Sequence, residues 1–244
     1  MNVGRITNLF LTEPEVSVLL ERGELETLDE PGAAFFLRRQ GDFRRLYFAA
    51  ASPEPLATLR LPPGEIITDV VGREPDIGPV SAALAQLGFL PYKQFQRMAR
   101  AGAPAGPPDT DGVRHAITGE VPAIHRLISQ YFDARAEHLP APHEVAAAVA
   151  QKAILIADAG SSIAALLFYS GTAITTTLRY WLVLPEFRGR QYGRLLLERY
   201  LADCAACRRF LLWVQRGNYR AIAQYERAGY RPDGLIDQIL RRSN

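Results

Sequence analysis

A strand–helix–strand pattern near the C-terminus constrains the fold more than any other feature of this sequence. The β-rich run AITTTLRYWLVLP, residues 173–185, stops at a proline, and a helical pattern follows from about Gly193 to Cys207. A second apolar run, RRFLLWVQ, comes directly after it as residues 208–215. Two strands joined through a helix pair in parallel by a right-handed crossover. The chain therefore has to build a sheet with at least one parallel pair.

The elements around this unit predict that the sheet is mixed. AILIADAG and SSIAALLFYSG are apolar runs separated by a glycine–serine turn, which is typical of an antiparallel hairpin. The other predicted elements are a short strand (113–119), helices at 120–136, 141–152 and 218–229, and one or two strands at 230–242. Asn218 is a natural N-cap and Gly229 a natural C-terminal stop for the last helix. We predict an α/β fold with a mixed sheet and helices on both faces.

A stretch rich in Pro, Gly and Ala, ARAGAPAGPPDTDG (99–112), has no apolar periodicity and predicts a domain boundary. We expect a smaller α+β domain at 1–100, a linker at 101–112 and a second domain at 113–244. In the first domain, GAAFFLRRQ and FRRLYFAAAS predict a hairpin that turns at Gly41-Asp42.

The corner VLPEFRGRQYGRLLLERYL, residues 183–201, concentrates positive charge and backbone freedom at the start of a helix. The first N–H groups of a helix have no intrahelical partner and carry partial positive charge, so they form a seat for an anion. Glycines allow the backbone to approach that anion closely. The corner therefore predicts a phosphate or pyrophosphate site, although Arg-Gly pairs also occur in ordinary solvated turns.

This corner resembles the acetyl-CoA-binding motif of the GCN5-related N-acetyltransferase (GNAT) family, where a strand and Pro-Glu precede an Arg/Gln-x-x-Gly-x-Gly/Ala loop that opens a helix. LLWVQRGNYRAIAQYERAGY (211–230) is similar to a later motif of the family. The residues that carry this second likeness are Val214, Asn218, Ala221, Tyr225, Gly229 and Tyr230. The resemblance covers about residues 113–244 and implies the GNAT acyl-CoA N-acyltransferase fold there. In one respect the loop departs from the family pattern, because Gln191 replaces the first motif glycine; its N–H remains available if φ stays negative.

The resemblance also implies how a cofactor binds. Two neighbouring strands, LRYWLVLP and FLLWVQ, would splay apart, and pantetheine would enter between them like an extra strand. Backbone groups of Leu182, Val183 and Leu184 would bind the pantetheine amides, and Asn218 would contact the cofactor nearby. Backbone N–H groups of the loop would hold the pyrophosphate: Arg188, Gly189, Arg190, Gln191, Tyr192, Gly193 and Arg194. The expected co-substrate is acetyl-CoA, and no metal is expected.

The same resemblance suggests catalytic residues. Tyr225 lies two helical turns after Asn218, on the same face, and would protonate the departing thiolate of CoA; the alternative is a ring that only packs against the sheet. Glu137 is the candidate general base, with a water chain as the alternative. His138, Arg179 and Tyr180 are candidate acceptor-binding residues, and strand alternation lets only one of Arg179 and Tyr180 face the acceptor. Both Glu137 and His138 could instead be ordinary solvated loop residues.

The first hundred residues contain a weak internal repeat of the last forty. EIITDVVGREPDIGPVSAALAQLGFLPYKQFQRMAR follows the same plan as FLLWVQRGNYRAIAQYERAGYRPDGLIDQILRR, with a strand, a helix, Gly plus an aromatic residue, and a strand. We interpret residues 1–100 as a degenerate GNAT-like domain, with an unrelated α+β lid as the alternative. It has no Arg-rich glycine loop, so we do not expect it to bind CoA through that motif.

Charge and cysteine usage limit the remaining function classes. The net charge is only +2, which favours no nucleic-acid partner, and no apolar run reaches the roughly 18 residues that span a bilayer. Cys204 and Cys207 lie in a helical pattern with no second pair, so two packed thiols are expected rather than a redox or zinc site.

The predicted protein is a cytoplasmic N-acetyltransferase that acts on a primary amine, and it could form a homodimer. Two alternatives stay open. One is a non-catalytic acyl-CoA-binding sensor or assembly module. The other is a tandem aminoacyl transferase that uses charged tRNA.

Overall fold

The computed structural model describes residues 6–9, 13–30, 33–102, 111–160 and 162–243 of the 244-residue chain. The chain divides into two compact units. The first takes in the chain up to Arg97, together with Gln215–Gly217 and Gly234–Asn244; the second takes in Met98–Val214 and Asn218–Asp233. Most of the predicted linker, residues 103–110, lies outside the described residues, and the predicted boundary at 101–112 stays a prediction.

The second unit has the predicted order of helices and strands. Its strands are β7 (Val113–His115), β8 (Ile154–Ala159), β9 (Ser162–Gly171), β10 (Thr175–Val183) and β11 (Arg209–Gln215). Its helices are α4 (Val121–Tyr131), α5 (Pro142–Ala150), α6 (Tyr192–Asp203) and α7 (Tyr219–Arg227). Two strands, β6 (Leu90–Ala101) and β12 (Arg231–Arg242), have residues in both units.

The sheet of the second unit is mixed, as predicted. The strand order is β11-β10-β9-β8-β7, and β8 with β9 forms the predicted antiparallel hairpin. β10 is antiparallel to β9 and parallel to β11, which is the crossover expected from the strand–helix–strand pattern. The mixed α/β fold class is therefore confirmed.

A bulge in β10 reverses which face its side chains occupy. The pairing with β9 passes from Leu178 opposite Tyr169 directly to Tyr180 opposite Phe168, so Arg179 is an extra residue in the strand. Leu178 consequently packs in the core under α6 and α7, whereas Tyr180 packs in the core under α4 and α5. Without the bulge, the two-residue period would place both on one face.

The first unit is built from α1 (Glu13–Glu21), β1 (Ile6–Thr7), β2 (Leu25–Glu30), β3 (Ala33–Gln40), β4 (Phe43–Ala50), α2 (Glu54–Thr58), β5 (Ile66–Gly72) and α3 (Glu74–Gln86). The predicted hairpin is present as β3 and β4, and Gly41 in its turn has a φ of +62°. The strand order is β2-β3-β4-β5-β12, with β1 paired to β4. A core of aliphatic and phenylalanine side chains lies between this sheet and helices α2 and α3.

The final strand groups partly with the first unit. Along Ile236–Arg242 it pairs antiparallel with Gly72–Ile66 of β5, and Ile236 and Leu240 are buried in the core of that unit. Sequence order alone had assigned these residues to the second domain. Strand pairing, which joins segments far apart in the chain, decides the grouping instead.

In the first unit, β4 and β5 form a short parallel pair and then diverge around the N-terminal segment. They pair only at Arg44 with Ile66 and Arg45 with Ile67. Further along, β1 pairs antiparallel with Ala49 and Ala50 of β4, on the edge that faces β5. Asn8 follows β1, and its side-chain amide donates to the carbonyl oxygens of Leu46 (3.1 Å) and Asp69 (3.0 Å). The chain itself therefore bridges this divergence, which we call the β4–β5 gap.

The internal repeat has the same turn after its helix in both copies. The helices α3 and α7 each end in a glycine with a φ of +85°, Gly88 and Gly229. The aromatic residue that follows, Phe89 or Tyr230, donates its backbone N–H to the carbonyl five residues earlier and is buried. Each sequence is thus a strand–helix–strand unit that is closed by the same left-handed glycine turn.

Candidate active site

The second unit also contains two parallel strands that stop pairing. The register of β10 with β11 runs from Thr175 opposite Arg209 to Leu178 opposite Leu212 and ends there, although both strands continue. Residues 179–183 and 213–214 therefore border a second divergence, which we call the β10–β11 gap. In the described part of the chain, no further strand lies between these two. The pairing therefore ends between the two strands, LRYWLVLP and FLLWVQ, for which the resemblance implied a splay.

The predicted anion corner lies at the end of this gap and has the backbone conformation of a glycine loop. After a short 3₁₀ turn at Pro185–Phe187, Gly189 has a φ of +84° and Gln191 a φ of +64°. The condition of a negative φ at Gln191 is not met, because this non-glycine residue adopts the left-handed conformation that a glycine would take at little cost. The loop therefore keeps the glycine-like path although one glycine is missing.

The first turn of α6 is pressed against β10. A Cβ on Gly193 would lie 3.0 Å from Cζ2 of Trp181 and 3.3 Å from Cγ2 of Val183. Any larger residue would force these side chains to shift by a few tenths of an ångström, so glycine favours the close placement of the helix start over the strand. The first helical hydrogen bond runs from the N–H of Leu195 to the carbonyl of Gln191, so the N–H groups of Tyr192 and Gly193 precede the helical ladder.

The three arginines of the corner do not contribute equally to its charge. Arg194 forms an ion pair with Glu198 at 2.8 Å and also donates from Nε to Oε1 of Gln191. The guanidinium of Arg190 lies 5.6 Å from the ring centre of Phe187. Arg188 donates from Nε to the carbonyl of Val183 at 3.3 Å. The positive charge beside the gap thus comes from Arg188 and Arg190, while that of Arg194 is largely neutralised.

The backbone of Leu182, Val183 and Leu184 is partly engaged on the far side of β10. Leu182 and Val183 pair with Leu166 and Ala165 of β9, and the N–H of Leu184 donates to Ala164 at 3.0 Å. The Val183 carbonyl, which is predicted to bind pantetheine, accepts from the exposed side chain of Arg188.

Helix α7 places Asn218 and Tyr225 at opposite ends of one face. Asn218 caps the helix, as predicted, because its Oδ1 accepts from the N–H of Ala221 at 3.2 Å. Tyr225 is only 6% exposed, and its ring centre lies 5.1 Å from that of Trp181. Burial, followed by the neighbouring Tyr230 and Glu137, raises the pKa of Tyr225 well above its usual value of 10.0. The phenol is protonated at neutral pH, as it already would be at its usual pKa, and burial stabilises this neutral form further.

The candidate acceptor residues come together around Tyr180. The Tyr180 hydroxyl donates to the backbone carbonyl of His138, which ties β10 to the loop after α4. Burial raises the pKa of Tyr180 to about 12, and the negative charge of Glu137 adds to the rise. Glu137 is half-buried and acts electrostatically on both Tyr180 and Tyr225, whereas the His138 side chain is exposed. The bulge leaves Arg179 exposed, with its guanidinium 5.8 Å from the ring centre of Tyr180.

Trp181 is the residue of this region that the sequence analysis missed. It lies between Gly193 and Tyr225, yet an aromatic residue in a β-rich run is ordinarily a packing residue. Its face could not be read from the sequence, since the bulge at Arg179 shifts the alternation by one residue.

The two cysteines are expected to be packed thiols rather than a redox or metal centre. Cys204 and Cys207 are free thiols at the end of α6, and burial raises the pKa of Cys204 to about 11. Among the described residues, no group of three or more His, Cys, Asp or Glu side chains is placed to hold a metal ion. No helix in the described ranges is long and apolar enough to cross a membrane.

Comparison with known structures identifies the fold. A GCN5-related N-acetyltransferase from Sphaerobacter thermophilus superposes with a TM-score of 0.64 at 16% identity, over 87% of this chain and 76% of that one. A tandem GNAT protein from the clavulanic acid biosynthesis pathway gives 0.55 at 16% identity, over 90% and 83%. A GNAT-family protein from Novosphingobium aromaticivorans gives 0.55 at 19% identity, over 92% and 93%. A search of curated protein sequences finds no match.

The sequence itself matches a family model in the region that carries the gap, the corner and α7. Residues 121–230 match the model of the acetyltransferase (GNAT) family. The matched range begins at α4 and ends at Tyr230, just after the glycine that closes α7. Over residues 121–230, this chain is therefore similar to the acetyltransferase (GNAT) family.

Proposed function

We propose that the protein transfers an acetyl group from acetyl-CoA to a primary amine by direct attack of the amine on the thioester. The observation that supports this most strongly is that β10 and β11 stop pairing after Leu178 and Leu212. The loop that leads into α6, with the backbone conformation of a glycine loop, lies beside this β10–β11 gap. A strand edge supplies amide partners for an extended pantetheine arm, and a helix N-terminus supplies N–H groups for a pyrophosphate.

The residues of the second unit fit acyl-CoA in this arrangement. Backbone groups of Leu182 to Leu184 would bind the arm, provided that the Arg188 side chain releases the Val183 carbonyl. The N–H groups of the corner from Arg188 to Arg194 would hold the phosphates, with Arg188 and Arg190 supplying charge. Acetyl-CoA, when bound, supplies an activated thioester, and Asn218 would contact its arm near the start of α7.

Two residues have side chains of the kind that the transfer needs. A phenol with its usual pKa is already protonated at neutral pH, and burial of Tyr225 raises that pKa further, so the proton-bearing form is the one beside the sulfur that leaves. Glu137 is the candidate base that receives a proton from the amine, directly or through water. His138, Arg179 and Tyr180 border the acceptor side, with Tyr180 positioning the loop that carries Glu137 and His138.

Acceptor-dependent thiol release from acetyl-CoA, screened across a diverse library of amines, tests this proposal. We expect turnover with at least one amine, and Tyr225→Phe to lower kcat by on the order of 100-fold with CoA affinity retained. Tyr219→Phe is the matched control, since Tyr219 is on the same helix but 79% exposed. Full activity in Tyr225→Phe would remove the assigned role of the phenol.

The same screen distinguishes the other functions. Acetyl-CoA binding without turnover on any amine would instead assign a non-catalytic acyl-CoA-binding module. Tight tRNA binding with a steep dependence on salt would favour an aminoacyl transferase. We further propose that the first unit is a degenerate GNAT-like domain, on the basis of the repeated strand–helix–strand unit and its shared glycine turn.

A further inference from the structure

The indole N–H of Trp181 has no hydrogen-bond partner within the described chain, although it is buried. Its Nε1 atom is almost completely shielded from solvent, and no described group accepts from it. Buried donors are nearly always paired, because leaving one unpaired forfeits the hydrogen bond it makes to water in the unfolded state. A buried donor without a partner therefore needs an explanation, and a role at a functional site is one of the accepted ones.

The position of Trp181 indicates which ligand group could be the partner. It lies on β10 three residues beyond the last pair with β11, at the edge of the β10–β11 gap. Cε2 and Cζ2, on the side of the indole that carries Nε1, lie 3.5 Å and 3.0 Å from the Cβ position of Gly193 at the corner. The ring centre is also 5.1 Å from that of Tyr225. Trp181 thus lies between the proposed phosphate seat and the proposed proton donor.

We propose that Trp181 is a positioning residue whose indole N–H donates a hydrogen bond to a carbonyl oxygen of the pantetheine arm of acyl-CoA. This inference rests on the proposed function, because it takes acyl-CoA as the ligand of the gap. The arm is the part of that ligand that runs from the pyrophosphate to the sulfur, and its amide carbonyls are good acceptors for an indole donor. The bond would fix the arm along β10 and orient the thioester toward Tyr225.

The chain offers a matched control, since it contains only two tryptophans. Trp213 is on the neighbouring strand β11, where the alternate residues Phe210, Leu212 and Val214 are the ones buried in the core under α6 and α7. Trp213 therefore points to the opposite face of the sheet from Trp181. The same substitution, tryptophan to phenylalanine, can be made at both sites.

Calorimetric binding of CoA and of adenosine 3′,5′-bisphosphate, which lacks the pantetheine arm, to Trp181→Phe and Trp213→Phe tests the inference. We expect Trp181→Phe to bind CoA about tenfold more weakly and the bisphosphate unchanged, since one hydrogen bond to the arm is lost. Trp213→Phe, whose altered side chain is on the opposite face of the sheet, should show no loss that is selective for CoA over the bisphosphate. Equal weakening of both ligands, or of neither, in Trp181→Phe would overturn the proposal. An unaltered protein that binds no CoA would instead refute the proposed function.

A fluorescence titration keeps the inference testable if Trp181→Phe does not fold. In Trp213→Phe, Trp181 is the sole indole, so its emission reports directly on the gap. We expect CoA to change that emission and the bisphosphate to leave it unchanged. Emission that is unchanged by saturating CoA would contradict a hydrogen bond from this indole to the arm.

Discussion

In the first unit, β4 and β5 stop pairing after Arg45 and Ile67, and residues 6–8 of the same chain lie in the β4–β5 gap. In the second unit, β10 and β11 stop pairing after Leu178 and Leu212. The resulting β10–β11 gap lies beside the loop before α6, which has the backbone conformation of a glycine loop. The connections differ as well, because α2 between the first pair has five residues and α6 between the second has twelve. The chain's own residues thus fill the β4–β5 gap, whereas the β10–β11 gap adjoins a helix N-terminus that is suited to bind an anion.

The difference shows how the same strand arrangement can serve stability or binding. A strand edge that diverges leaves backbone groups that need partners. Residues 6–8 supply them in the first unit: β1 pairs with β4, and the Asn8 amide reaches both Leu46 and Asp69 while its Oδ1 accepts from the N–H of Phe48 at 2.7 Å. In the second unit the Val183 carbonyl accepts from an exposed arginine side chain, which a ligand can replace.

The largest effect that tests this comparison is expected from Asn8→Ala. Asn8 is 1% exposed, and its loss leaves the carbonyls of Leu46 and Asp69 and the N–H of Phe48 without this partner. We expect the free energy of unfolding to fall by about 3 to 5 kcal/mol, as measured by chemical denaturation.

The matched control is Asn218→Ala in the second unit. That asparagine is exposed and makes one capping bond, so about 1 kcal/mol should be lost. If the two substitutions cost the same, residues 6–8 do not hold the β4–β5 gap as described.

A smaller effect concerns the buried charges beside the β4–β5 gap. Arg45 and Asp69 form an ion pair at 3.8 Å, and Asp237 lies on the same face, diagonally across the β5–β12 ladder. Burial raises the pKa of Asp69 to about 6, against the attraction of Arg45. Burial, and then Asp69, raises the pKa of Asp237 as well.

Stability should therefore fall as the pH rises from about 4 to above 6, because the folded state binds protons that the unfolded state has already released. Asp237→Asn should reduce this fall, by on the order of 1 to 2 kcal/mol, in unfolding measured across that pH range. Glu120→Gln in the second unit is a control of opposite sign, since hydrogen bonding to Arg114 lowers the pKa of Glu120. An unchanged slope in Asp237→Asn would contradict a raised pKa of Asp237 in the folded state.

The smallest effect is expected at the corner that only the second unit has. Gln191 has a φ of +64°, a conformation that costs a non-glycine residue about 1 to 2 kcal/mol. Glycine avoids this strain, but its more flexible unfolded state favours unfolding and cancels part of the gain in stability. Gln191→Gly should raise stability by about 0.5 kcal/mol and leave CoA affinity unchanged or higher. Gly189→Ala, at a φ of +84°, should lower stability by about 1 kcal/mol. A loss of stability in Gln191→Gly would mean that its bond to Arg194 outweighs the backbone strain.

Much of the second unit could be predicted because its signals are local. Apolar periodicity, the Asn218 cap and the Gly229 stop depend on neighbouring residues only, and they gave the helices, the hairpin and the parallel crossover. The corner was predicted for the same reason. The bulge at Arg179 could not be, since an extra residue in one strand is defined only by its partner strand.

The sequence by itself determined the strand–helix–strand units, the glycine turns and the charged corner, all of which are set by contacts within a few turns of the chain. Only the tertiary structure decided that Asn8 lies between β4 and β5, that the last strand joins the first unit, and that Trp181 faces Tyr225. Each of these depends on which distant segments pair. A single asparagine near the N-terminus carries no local sign of the 61-residue separation that its bond to Asp69 spans.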